Sequence, residues 1–218
     1  MTTRADLRQR IRDELNDNAT VKLWGDALLN QWVVEGLREL GRRLGLEKTT
    51  SVTSVANQEA YGLASDVLEI VRVEHPGGVM RAPGGVRSGD ESGIDGYGNG
   101  GGMRSAPARY ETFGGQLVLV PAPAGAGEEI RVRYRGAYAE PATDAAVLDL
   151  PIGDEGLVVA YTCGRALQWI GTDEAKRQRF EHQRGADPVA LRREYERDLV
   201  RMLRDRRAGL GTRRLVAR

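Results

Sequence analysis

Cysteine and histidine are nearly missing from this chain. Its one cysteine, Cys163, excludes an intrachain disulfide, and two histidines, His75 and His182, leave too few ligands for a histidine-rich metal site. Lysine is scarce too: among 32 basic residues only Lys22, Lys48 and Lys176 are not arginine. No apolar run approaches the roughly 20 residues that cross a bilayer. The first residues turn charged at Arg4 and Asp6 before any signal-like apolar segment forms. These absences lead to the expectation of a chain made in a cytoplasm, with no membrane contact. Net charge is only +1, yet residues 206–218 carry five arginines and no acid.

What is present is a change of period along the chain. The 218 residues, 40% apolar and 29% charged, suffice for one or two modules with a proper core. Thr3 and Asp6 form a short N-terminal cap, and Leu7, Ile11 and Leu15 then recur every four residues, which predicts a helix that Asn16-Asp17-Asn18 ends. A second helix is expected from Asp26, taken as its N-cap, to about Gly45. Its stripe of Leu28, Leu29, Trp32, Val33, Leu37, Leu40 and Leu44 is wide enough to meet two neighbours, within the subunit or across an interface.

From Lys48 the pattern becomes β-like. Thr49 to Val55, Glu59 to Leu63 and Val67 to Val73 read as strands, the last with Leu68, Ile70 and Arg72 opposite Val67, Glu69 and Val73. Residues 76–107 hold eleven glycines and few apolar side chains, and are expected to be a mobile loop. Arg109 to Phe113, Gln116 to Val120 and Ile130 to Tyr134 read as antiparallel strands, the first two joined by a Gly114-Gly115 turn. Helical signals resume after Pro151. Leu157, Val158, Tyr161, Cys163, Ala166, Leu167 and Ile170 mark a buried helix, and Asp173 caps a shorter one through Phe180. Asp187-Pro188 starts the last helix, with Leu191, Tyr195, Leu199, Met202 and Leu203 on one face; Gly209 and Gly211 are expected to end it.

The fold class this predicts is α+β: a discontinuous helical bundle of N- and C-terminal helices, with an inserted antiparallel β domain carrying a long glycine-rich loop. The expected divisions are 1–47 and 139–208 for the bundle, 48–138 for the insertion with its loop at 76–107, and 209–218 for a C-terminal tail.

Candidate chemistry is thin. Gly96-Tyr97-Gly98-Asn99-Gly100-Gly101 matches G-x-G-x-x-G in letters, but lacks the preceding strand and following helix that a dinucleotide site needs. Cys163 sits in an apolar helical run and reads as a small buried hydrophobe. The acidic pairs Asp90-Glu91, Glu128-Glu129, Asp154-Glu155 and Asp173-Glu174 are adjacent in sequence, so each pair diverges by about 100° on a helix or lies on opposite faces of a strand. None is a ready catalytic dyad. Convergence of carboxylates from distant segments, giving a hydrolase, stays open. No catalytic residue, cofactor site or metal site is assigned. The arginine-rich end admits three readings: a solvated terminus, a nucleic-acid contact, or docking on a partner protein, for which Leu210, Leu215 and Val216 supply apolar anchors.

Several segments resemble the head–tail connector proteins of tailed bacteriophages, also called adaptor or head-completion proteins. Trp24-Gly25-Asp26-Ala27-Leu28-Leu29-Asn30-Gln31-Trp32, followed by Glu35-Gly36-Leu37-Arg38-Glu39, is similar to their opening. Thr50 to Ile70 resembles the segment that enters their β insertion. Arg131-Val132-Arg133-Tyr134, then Leu150-Pro151 and the helix through Leu167, resemble its exit and the returning helix. The resemblance implies a virion protein at the portal vertex: a homo-oligomeric ring, typically of twelve subunits, beneath the portal, with stopper or tail proteins below and packaged DNA passing through its bore. It also makes Gly209, Leu210, Arg213, Arg214, Leu215, Val216 and Arg218 the portal-docking tail. Trp24, Leu29, Trp32, Leu40, Tyr161, Trp169, Leu191 and Tyr195 are the residues expected to pack helices, in the core or between subunits. The alternative reading is a nucleic-acid-binding protein using the arginine-rich C-terminus, or a carboxylate-based hydrolase.

Overall fold

A computed structural model describes residues 2–76, 78–80, 82, 107–151 and 153–216, the stretch 209–216 by its backbone alone. The chain divides into two compact units, residues 1–45 with 137–218, and residues 46–136. The glycine-rich motif at 96–101, the Asp90-Glu91 pair and most of the 76–107 segment lie outside the described residues.

The first unit is helical. Helix α1, Arg4–Leu15, starts with a complete capping box in which Thr3 and Asp6 satisfy each other's end of the helix. It stops where Asn16 turns left-handed at φ 54°. Its apolar face is fully buried: Leu7, Ile11 and Leu15 have almost no exposed surface. Helix α2 runs Asp26–Arg43. Its N-cap is Gly25, and Asp26 is the first helical residue, which corrects the sequence reading. The carboxylate of Asp26 is taken by Arg12 instead of by a backbone N–H, and a negative charge in the first turn still favours the helix dipole.

Helix α3, Asp154–Ile170, is buried along most of its length, and α4 spans Glu174–Arg184, one turn longer than expected, capped by Asp173. Helix α5 spans Pro188–Val216. Both carboxylate oxygens of Asp187 accept first-turn N–H groups, from Val189 and Ala190. The expected stop at Gly209 is a miss. The helix passes through Gly209 and Gly211, because an interior glycine costs only about 1 kcal/mol and neither a proline nor a left-handed residue interrupts it.

The second unit is a pair of small antiparallel sheets around one apolar core. Strands β1 (Leu46–Thr53), β3 (Val67–His75), β4 (Gly78–Met80) and β7 (Glu129–Gly136) form a sheet in the order β1-β7-β3-β4. Strands β2 (Ala60–Gly62), β5 (Arg109–Phe113) and β6 (Gln116–Val120) form the other, in the order β2-β6-β5. Val73, Tyr110, Leu117, Leu119, Ile130 and Val132 are the centre of the core between them. Strict alternation in β3 fails, since its register with β7 shifts between Val67 and Glu69 and again between Ile70 and Arg72. Each shift adds a residue on one side, so Leu68 and Val71 face solvent while Ile70 and Val73 turn inward. Gly78 to Val79 to Met80, expected to belong to a mobile loop, pair with His75, Glu74 and Val73.

The β5–β6 hairpin turns where the sequence says it must. Gly114 and Gly115 sit at φ 58° and 75°, the two positive angles of a type I′ turn. Gly115→Val should lower stability by about 1–2 kcal/mol, because a β-branched residue is forced into left-handed backbone. Urea unfolding of the variant checks this; an unchanged midpoint would count against that geometry.

Candidate assembly surfaces

The helical unit gathers the aromatic residues that sequence analysis singled out. Trp24, Leu29, Trp32 and Leu40 are buried, whereas Tyr161, Trp169, Leu191 and Tyr195 are half-buried. The Trp24 indole N–H donates to the Ala166 carbonyl at 3.2 Å, and its ring meets Phe180 edge-on at 6.0 Å. Trp32 meets Trp169 in the same way at 6.2 Å, and Lys176 Nζ lies 4.0 Å over the Trp169 ring. α2, α3 and α4 are therefore joined by rings that exclude water and fix angles between helices. The proposed docking residues Gly209 to Val216 form the last two turns of α5; Arg218 lies outside the described residues.

Two buried charge clusters escaped the sequence reading. In the first, Arg12 is 2% exposed although it is an arginine on a surface-type helix. Its guanidinium reaches Asp17 Oδ2 at 2.5 Å, the Trp24 carbonyl at 3.0 Å and the carboxylate of Asp26. Asp17, itself buried, also accepts the Leu23 N–H at 2.8 Å. The cluster thus holds the α1–α2 connection closed. Asp26's carboxyl is held below the usual carboxylate range, first by the hydrogen bond from Arg12, with burial opposing and Arg8 assisting.

The second cluster centres on Asp154, 1% exposed in the first turn of α3. Tyr138 donates its hydroxyl to Oδ2 at 3.0 Å, and Arg206 Nε lies 2.8 Å from Oδ1. That last contact lacks hydrogen-bond alignment, but Arg206 Nη2 donates to Oδ2 at 3.5 Å, so charge attraction and one long hydrogen bond hold the pair. Burial, and next the Asp154 carboxylate, push the Tyr138 phenol well above its usual range. Asp154 therefore fixes α5 at Arg206, ten residues before the helix ends. An acid in the first turn of a helix is a readable signal, but its partner 52 residues away is not. Asp154→Asn should cost about 1–3 kcal/mol by leaving the half-buried Arg206 unpaired. A guanidinium titration reads it, and a loss below about 0.5 kcal/mol would mean that Arg206 relaxes to solvent without penalty.

Among the described residues the acidic pairs do not converge. Glu128 lies 2.5 Å from His75 Nε2 while Glu129 pairs with Arg131; Glu155 is engaged by Thr2 and Arg10 while Asp154 turns inward. Asp173 caps α4 and Glu174 meets Arg177. Burial raises the Cys163 thiol well above its usual range, so it stays protonated at neutral pH. Two depressions of about 510 and 400 Å³ occur in the helical unit; the first holds the Thr2 hydroxyl on Glu155, and the second the Tyr195 hydroxyl on Glu14. In the β unit, Arg131, Arg133 and Arg135 line the solvent face of β7, where Glu129, Glu74 and Glu69 answer them. Among the described residues no helix is long and apolar enough to cross a membrane.

The arrangement is one of packing faces and ion-paired surfaces. Compared with known families, the sequence matches the model of the SU10 adaptor protein over residues 2–214. No curated protein matches the chain.

Proposed function

The chain belongs to the SU10 adaptor protein family, a phage head–tail adaptor family and hence a structural one, and from that premise we propose that it forms a ring beneath the portal, with a bore for DNA, and docks on the portal through the C-terminal end of α5. The family match over nearly the whole chain is the observation that carries this reading. The structure of the helical unit supports it. A closed ring needs a head-to-tail interface made of two different surfaces on each subunit. Rigid helices locked by Trp24, Trp32 and Trp169 supply such surfaces without an ordering cost on assembly. Helix α5, about 43 Å long at 1.5 Å per residue, is anchored at Arg206 and continues beyond it. Its last turns, in which Leu210, Leu215 and Val216 stand among arginines, suit docking on a partner. The ring is proposed to be dodecameric, with stopper or tail proteins on its far side, and to reside at the portal vertex of the virion.

Electron microscopy of the full-length protein mixed with its portal tests the reading. A ring of density on the portal's narrow end is expected. Failure of the two to co-assemble, together with virions that lack the protein, would refute it. Monomeric behaviour of the isolated protein is compatible with assembly only on the portal.

A further inference from the structure

We infer that the outward face of α5 is a binding surface for the phosphate backbone of duplex DNA. Arg193, Arg197, Arg201 and Arg204 follow one another at intervals of four, four and three residues, and all are exposed. At about 100° per residue they fall within one stripe roughly 80° wide, and Arg207 extends the row at its end. From Arg193 to Arg207 the row is about 21 Å long. Its cations are mostly unspent. Arg192 is engaged by Glu196 and Arg206 by Asp154, but both lie to the sides of the stripe. Within the stripe only Arg201 meets an acid, Asp198 at 2.9 Å, and that arginine is 72% exposed, so the pair is weak. Arg197 Nε donates to its own helix at the Arg193 carbonyl, and Arg207 to the Arg43 carbonyl at 3.3 Å. Glu194, Glu196, Asp198 and Asp205 flank the stripe and none lies within it.

The β unit shows what a neutralised arginine row looks like in the same chain: Arg131, Arg133 and Arg135 each have a glutamate within 3.5 Å. Four arginines in a straight row, only Arg201 of them paired with an acid, repel one another unless an anion of matching length lies along them. Duplex DNA presents about one charge per 1.7 Å of its axis, a dense and regular anion that matches a long row of cations. The opposite side of α5 is occupied, since Tyr195 bonds Glu14 and Leu203 is buried, so this face is the one available. The inference deepens the adaptor reading and rests on it for the presence of DNA at the protein.

The experiment uses the full chain and a 30-base-pair duplex of arbitrary sequence, with fluorescence anisotropy read between about 50 and 200 mM salt. Four phosphate contacts give an expected slope of log K on log salt near −3.6, a loss of about 150-fold over that range. Arg193→Gln, Arg197→Gln and Arg204→Gln together should bring the slope close to −1. Arg131→Gln, Arg133→Gln and Arg135→Gln together change net charge equally and should leave the slope as it is. Circular dichroism verifies that both variants stay folded. Absence of duplex binding at 50 mM salt, equal loss in both variants, or an α5 variant that binds DNA normally would each overturn the inference. An α5 variant that binds DNA normally but no longer attaches to the portal would do so as well, in favour of an acidic protein partner. Portal co-assembly of the wild type is scored separately, so failure of the adaptor reading is distinguishable from failure of this one.

Discussion

Arg12→Ala is expected to destabilise the helical unit by about 3–5 kcal/mol, a fifth or more of the roughly 5–15 kcal/mol that holds a typical domain folded. The size follows from what the substitution leaves behind. Asp17, 1% exposed, would keep its charge with only the Leu23 and Trp24 N–H groups nearby. The Trp24 carbonyl would also lose its donor. Differential denaturation of wild type and variant reads the loss. A double variant, Arg12→Met with Asp17→Asn, removes both charges and should recover much of it, since an absent buried pair costs less than a broken one. If the double variant were as unstable as Arg12→Ala, shape and not charge would be the cause.

The same network gives a pH signature. Asp26 has a folded pKa below its unfolded value of about 3.9, so its contribution is complete above that pH and is lost as pH falls through the folded value. Asp66 behaves likewise in the β unit, where the Lys48 ammonium lies 2.8 Å away and its hydrogen bond is the largest cause. Acid unfolding should therefore begin below about pH 4, and Arg12→Ala should remove the share that Asp26 contributes.

Removal of residues 209–218 is expected to abolish attachment to the portal while leaving the fold unchanged. The truncated helix would still carry Arg206 on Asp154 and Arg207 on the Arg43 carbonyl, the contacts that seat its C-terminal half. Thermal unfolding should stay within experimental error. Attachment, read by co-sedimentation with portal particles, should weaken by at least a hundredfold, about 2.8 kcal/mol, if those ten residues form the contact. Wild-type attachment by the truncated protein would refute the docking assignment. The helical course through Gly209 and Gly211 sharpens the test, because Gly209→Pro should interrupt the helix there and weaken attachment without deleting a residue.

Much of the fold was legible because its signals are local. A capping box at Thr3, paired positive-φ glycines at 114–115 and an Asp-Pro start at 187–188 each act within one turn of chain, and each element begins or turns where those residues stand. The α+β class followed from the same periods. Local reasoning failed where a remote group intervened. Asp26 has a cap's residue type but not its role, since Arg12 takes its carboxylate, and α5 passes the stop signal at Gly209 because a long run of helix formers outweighs it.

By itself, then, the sequence determined the type and order of the elements, the absence of any recognisable catalytic motif, and the resemblance that the family match bears out. Only the tertiary structure decided that β7 pairs with β1 and β3, strands roughly 60 to 80 residues away, that Arg12 and Asp154 are buried, and that four arginines of α5 share an open face. The physical reason is the same throughout. Backbone propensity and turn geometry are properties of neighbouring residues, whereas pairing, desolvation and charge compensation depend on which distant surfaces close over a side chain.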